Sequence, residues 1–166
     1  EVAHRGNADV FGNPAPLGTV VNLSAWPHAW STGSSCKIDA DDGISKGTFL
    51  NEDKNENLIL DLGEDGYRQY STAPSLVIPG GKPDSLLTPT NSSGGTLPAT
   101  VTTDLNGVAA FNLVYPKTSA IWTTTRIRAR TVVQGSDAVG QVIFVLPALA
   151  ADTTPLCILP PTPYVF

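Results

Sequence analysis

Several things are scarce in this chain of 166 residues, and each scarcity removes a class of answer. No window approaches the roughly 20 consecutive apolar residues that a membrane-spanning helix needs, and no apolar export signal stands at the N-terminus. Charged residues make up only 15% and sum to -5, so there is no general electrostatic case for nucleic acid or an anionic membrane surface. Histidine occurs only at His4 and His28, in no HExxH pattern and no Ser-His-Asp order, so nothing nominates a nucleophile with an oriented base and no enzyme is expected. Methionine is absent and the chain opens on Glu1, which we read as a processed, exported protein, extracellular or at the cell surface. Cysteine is limited to Cys36 and Cys157, without the paired spacing of a zinc site. One long-range disulfide in an oxidising compartment is the expectation, with two buried thiols as the alternative.

Glycine and proline are plentiful, at 15 and 14, and tax helices along the whole chain, while 41% hydrophobic residues suffice for a core. The periodicity is that of strands. In GTVVNLSA, Val21, Leu23 and Ala25 alternate with Val20, Asn22 and Ser24. The segment TVTT runs into Asp104-Leu105-Asn106-Gly107, a hairpin turn signal, and VAAFNLVY then places Ala109, Phe111, Leu113 and Tyr115 on one side. Between Thr124 and Gln134, Ile127, Ala129, Thr131 and Val133 alternate with Arg126, Arg128 and Arg130. A turn at Gly135-Ser136-Asp137 leads to VGQVIFVL, apolar on both faces and expected as a central strand.

Residues 26 to 95 read as an acidic, loop-rich insertion. Nine acidic residues lie between Lys37 and Gly66 against three lysines, with short apolar runs at Gly47 to Leu50, Leu58 to Leu62 and Ser75 to Ile78 suggesting short strands. Core strands are expected at about 7-25 and 96-147, and a Pro-rich tail at 148-166, all in one domain.

Two blocks carry a resemblance. Asp9-Val10-Phe11-Gly12-Asn13-Pro14 ahead of GTVVNLSA, and Thr103-Asp104-Leu105-Asn106-Gly107-Val108-Ala109 at the second turn, resemble the group-one bacterial Ig-like domains of the invasin and intimin type. The resemblance covers about 70 residues and implies an extracellular all-β Ig-like sandwich serving as a spacer or adhesive module, with no catalytic residues to carry over. The chain departs from that family in its long insertion and in having only Glu1 to Gly6 ahead of the first turn. The sandwich therefore lacks one edge strand unless Glu1 to Gly6, the tail, or a strand from another subunit supplies it.

The expected function is a structural or adhesive subunit of a bacterial surface filament or pilus-like assembly, or an adhesin module. The alternatives are a monomeric carbohydrate-binding or calcium-binding module and the globular half of a split pilin. In AWPHAW, Trp26 and Trp30 flank His28 and offer either sugar and partner contacts or core cover. Asp39, Asp41 and Asp42 in DADDG offer oxygen ligands to calcium or form a solvated acidic loop; Gly43 at the fifth position and Leu50 at the twelfth depart from the twelve-residue calcium loop. Apart from that calcium no cofactor is expected. Arg126, Arg128 and Arg130 form a row for acidic groups of a neighbouring subunit, or pair with acids at home. In the tail, Tyr164, Val165 and Phe166 pack locally or reach a partner. Other protein subunits or a surface ligand are the expected partners, without a direct membrane span.

Overall fold

The computed structural model describes residues 14-33, 45-66, 68-69, 83-133, 135-152 and 162-164. The fold is all-β: six strands, β1 (Val20–Gly33), β2 (Ser45–Leu50), β3 (Arg68–Gln69), β4 (Thr100–Thr102), β5 (Thr123–Val133) and β6 (Ser136–Val145), join in a curled antiparallel sheet. Its order is β3-β2-β1-β5-β6, with β4 paired to β1 off that path. No α-helix occurs among the described residues, only short 3-10 turns. Among those residues the strands form one sheet, where the Ig-like expectation was two facing ones.

Strand β1 is the trunk. One edge pairs with β5 from Val21 opposite Thr131 to Trp30 opposite Thr123. The other edge is shared, β4 taking Val20 to Asn22 and β2 taking Ala29 to Gly33. The gap between them contains Pro27, which has no N–H to donate, and the register with β5 shifts beside it. Other groups close the gap. The Leu23 N–H donates to the Ala99 carbonyl at 2.8 Å, and the Asn51 amide Nδ2 donates to the Pro27 carbonyl at 2.6 Å. Gly94 lies so close that an added Cβ would stand 2.6 Å from the Pro27 nitrogen.

The expected faces are observed along β1 and β5. Val21 and Leu23 are buried where Asn22 and Ser24 are exposed, and Ile127, Ala129 and Thr131 are buried opposite the arginine face. Val21, Leu23 and Ala129 form one core cluster, covered by Leu97, Val101, Ala109 and Phe111. A second cluster joins Trp30 and Phe49, directly paired across β1 and β2 with ring centroids 4.8 Å apart, to Tyr164 from the tail at 5.0 Å.

Four expectations are corrected. The insertion does not begin at residue 26, because β1 continues to Gly33 and β2 extends the same sheet. The turn at 104-107 forms, with the Gly107 N–H donating to the Asp104 carbonyl at 3.1 Å, but β4 pairs with β1 and 108-115 is extended chain whose one bridge joins Val114 to Thr96. The alternation of 108-115 is real and lays Ala109 and Phe111 on the core without a ladder. Among the described residues strand β6 ends the order instead of lying at its centre, pairing with β5 alone, and one of its faces exposes Val139, Ile143 and Val145. Leu58 to Leu62 is loop, with Leu58, Ile59 and Leu62 exposed.

Trp30→Ala removes a wholly buried side chain and is expected to cost about 3 to 5 kcal/mol in denaturant unfolding. Asn51→Ala strands the buried Pro27 carbonyl and is expected to cost about 1 to 3 kcal/mol.

Candidate metal centre

The connection from β2 to β3 is built from acidic and amide side chains. It begins at Asp53 and reads D-K-N-E-N-L-I-L-D-L-G-E, which puts Asp53, Asn55, Asn57, Asp61 and Glu64 at positions 1, 3, 5, 9 and 12 of a twelve-residue segment, with Ile59 at position 7. That is the spacing at which a calcium loop presents side-chain oxygens, one backbone carbonyl and a final bidentate glutamate. The flanks differ from the helices usual for such loops. Here β2 enters, β3 leaves, and Phe49 opposite Gln69 closes the hairpin.

The loop winds because its side chains take up its own backbone donors. The Asp53 carboxylate accepts from the Asn57 and Leu58 N–H groups at 3.1 and 2.7 Å. Asn55 Oδ1 accepts from the Asn57 N–H at 3.1 Å, and Asn57 Oδ1 from the Ile59 N–H at 2.7 Å. Both amide Nδ2 groups converge on Asp61 Oδ2, at 2.8 and 2.9 Å. Glu64 reaches back across the loop, its oxygens accepting from the Lys54 N–H at 2.9 Å and the Asp61 N–H at 3.0 Å. Asp53 and Glu64 are 3% and 5% exposed, so the two ends of the donor set are inside while the loop tip is out. Leu58 holds φ at +66° in the sixth position, the place where glycine is customary because the turn is left-handed there. The carboxylate and amide oxygens each keep a second lone pair. By spacing, three carboxylates, two amide oxygens and a carbonyl make a hard, anionic donor set suited to Ca²⁺; the acids that the structure gathers within 4.8 Å of one another are Glu52, Asp65 and Asp84.

A second carboxylate group clips the loop to its neighbours. Oxygens of Glu52, Asp65 and Asp84 lie within 4.8 Å of one another. Glu52 accepts from the Gly66 and Thr88 N–H groups at 2.9 and 2.8 Å, and Asp65 from those of Asp84 and Ser85, both at 3.0 Å. Burial pushes the Glu52 carboxyl above its ordinary range, partly offset by those two N–H donors and reinforced by Asp84 and Asp65. These contacts account for the trio as a clip between chain segments.

A cleft of about 300 Å³ opens beside the loop, lined by Trp26, His28, Asn51, Lys54, Glu56 and Arg126 among others. The Arg126 guanidinium donates to both Glu56 oxygens at 2.7 Å, tying β5 to the fourth position of the loop. Its Nε is buried without a partner.

The residues singled out from the sequence are dispersed. Trp26 and His28 line the cleft, whereas Trp30 is core. Arg126 meets an acid of its own chain, while Arg128 and Arg130 continue along the open face of β5. Tyr164 packs on Trp30, and its hydroxyl lies 2.7 Å from Thr123 Oγ1. Cys36, Asp39, Asp41, Asp42, Cys157, Val165 and Phe166 lie outside the described residues. The 53-64 donors were missed, although the twelve-residue rule applied to DADDG fits when started at Asp53. The leucine at position six and the apolar run Leu58 to Leu62 disguised them as a short strand. Comparison with protein-family models, curated proteins and solved structures finds no match.

Burial, with help from Arg126, holds the His28 imidazole below 6.5, and Glu56 pulls the other way. The neutral ring is thus favoured by the fold, so this stability is present above pH 6.5 and is lost as pH falls through the window just below it. Arg126→Gln is expected to raise the His28 midpoint and Glu56→Gln to lower it, read by NMR titration of the imidazole.

Proposed function

We propose that this chain is a non-catalytic extracellular β-module, of the structural or adhesive kind found on bacterial surfaces, that binds one calcium ion in the loop from Asp53 to Glu64. The observation that carries the reading is the placement of oxygen donors at positions 1, 3, 5, 7, 9 and 12 of that loop. The loop closes the β2-β3 hairpin, so an ion there would fix the end of the sheet farthest from β6. Calcium at extracellular millimolar supply fits such a clamp, since even modest loop sites fill under those conditions. The resemblance of the 103-109 turn to group-one bacterial Ig-like domains supports the same setting.

Calorimetry on chelator-treated protein is expected to show one calcium site per chain, with magnesium weaker. At a free calcium concentration about 100 times Kd the fold gains roughly 2.7 kcal/mol, seen as a higher Tm. Glu64→Gln and Asp53→Asn each remove a charged ligand and are expected to weaken binding by at least about tenfold. Absence of both heat and Tm shift would end the calcium reading.

One feature favours a filament subunit as a second reading. Strand β6 pairs with β5 in unbroken register over ten residues, and among the described residues no strand occupies its other edge. It contains no Lys, Pro or bulge, the usual devices that blunt an edge, and exposes Val139, Ile143 and Val145. Concentration-dependent self-association in sedimentation, abolished by Ile143→Lys, is the expected result; a monomer at high concentration rules strand addition out.

A further inference from the structure

The outer face of the sheet carries arginines that have no ion pair among the described residues. Arg126, Arg128 and Arg130 project from the same face of β5, roughly 7 Å apart along the strand. Arg126 is matched by Glu56. Among the described residues, no ion pair involves Arg128 or Arg130, although the chain as a whole is at -5. Neighbouring cations on one strand repel each other, and Asp137 of β6 stands on this face diagonal to Arg130 without an ion pair to it.

Their surroundings narrow the choice of counter-charge. Register sets Asn22 beside Arg130, Ser24 beside Arg128 and Trp26 beside Arg126 on β1, while Gln141 of β6 stands on the other side of Arg128. Each open arginine is thus level with a neutral, exposed hydrogen-bonding side chain. At the Arg126 end the row runs into the 300 Å³ cleft where Trp26 and His28 meet the Arg126–Glu56 pair. A volume of that size is at the lower limit for a small-molecule site and accommodates a single sugar ring. An indole beside planar charged groups is the lining that pyranose C–H faces and hydroxyls recognise.

We propose that this face binds an anionic glycan, with one sugar in the Trp26 cleft and carboxylate or sulfate groups of the following residues on Arg128 and Arg130. A guanidinium accepts such planar or tripodal oxyanions through paired N–H donors, and the amide and hydroxyl side chains beside it take sugar hydroxyls. An acidic polypeptide offers the same charge but no ring for the cleft, and it is the competing occupant. Arg128 and Arg130 lie outside the calcium loop, whereas Asp53, Lys54 and Glu56 of that loop line the cleft, so the sugar subsite shares a wall with the proposed ion site.

The test uses the full chain on immobilised glucuronate-containing glycan, heparin, dextran and poly-glutamate, at low and physiological salt. Retention is expected on the two anionic glycans above dextran and poly-glutamate, weakening as salt rises. The double variant Arg128→Gln/Arg130→Gln is expected to lose at least about tenfold in affinity, because two charge-assisted contacts vanish. The Lys/Lys pair should retain part of it, as charge persists without the fork, and Trp26→Ala should weaken glycan binding severalfold with the circular dichroism spectrum unchanged. No retention on anionic glycan, equal retention by the Gln variant, or equal retention on poly-glutamate would each overturn the proposal.

Discussion

One strand has to satisfy the backbone of three others, and the architecture follows from how β1 meets that demand. It gives a continuous edge to β5 and divides the opposite edge between β4 and β2. Divided edges leave orphan carbonyls, and buried orphans are costly. Pro27 removes one donor from the gap, and the Asn51 amide supplies a donor for the Pro27 carbonyl. The same Asn51 accepts from the Asp53 N–H through Oδ1 at 3.0 Å, so one side chain both repairs the trunk and starts the loop. Sheet integrity and loop placement are therefore coupled through a single amide.

The acidity of the 52-65 segment has a structural meaning of its own. Its carboxylates act first as acceptors for backbone N–H groups that have no strand partner: Asp53 for 57 and 58, Glu64 for 54 and 61, Glu52 for 66 and 88. A charged acceptor makes a stronger bond than a neutral one, which lets a loop with no ladder hold a defined course. The side chains proposed as ion ligands are thus the ones that already hold the course of the loop.

Period-two alternation made β5 and the first half of β1 legible in the sequence, down to which side chains enter the core, because burial on one face selects Val21, Leu23, Ile127 and Ala129 directly; the second half of β1, from Trp26 to Gly33, read as insertion. The Asn-Gly turn at 104-107 was equally plain, since Gly107 at φ +72° is what such a turn requires. Pairing was not legible. Alternation reports faces and says nothing of partners, so 108-115 read as a ladder strand though it lies on the core nearly alone. Exposed valines on β6 imitated a buried strand for the same reason: hydropathy cannot tell an interaction face from a core. The loop failed for a different cause. Its donors are separated by leucines, and a left-handed Leu58 departs from the glycine that normally announces the turn.

The Glu52–Asp65–Asp84 clip crowds three carboxylates within 4.8 Å, and the fold favours the neutral form of Glu52, whose carboxyl is raised by burial and by its acidic neighbours. Its contribution to stability is therefore present in acid and is lost as pH rises through the raised value, while the aromatic packing of Trp30, Phe49 and Tyr164, which involves no ionised group, keeps its hold on the trunk. Alkali, not acid, is the solvent that would prise this flank from its greasy centre.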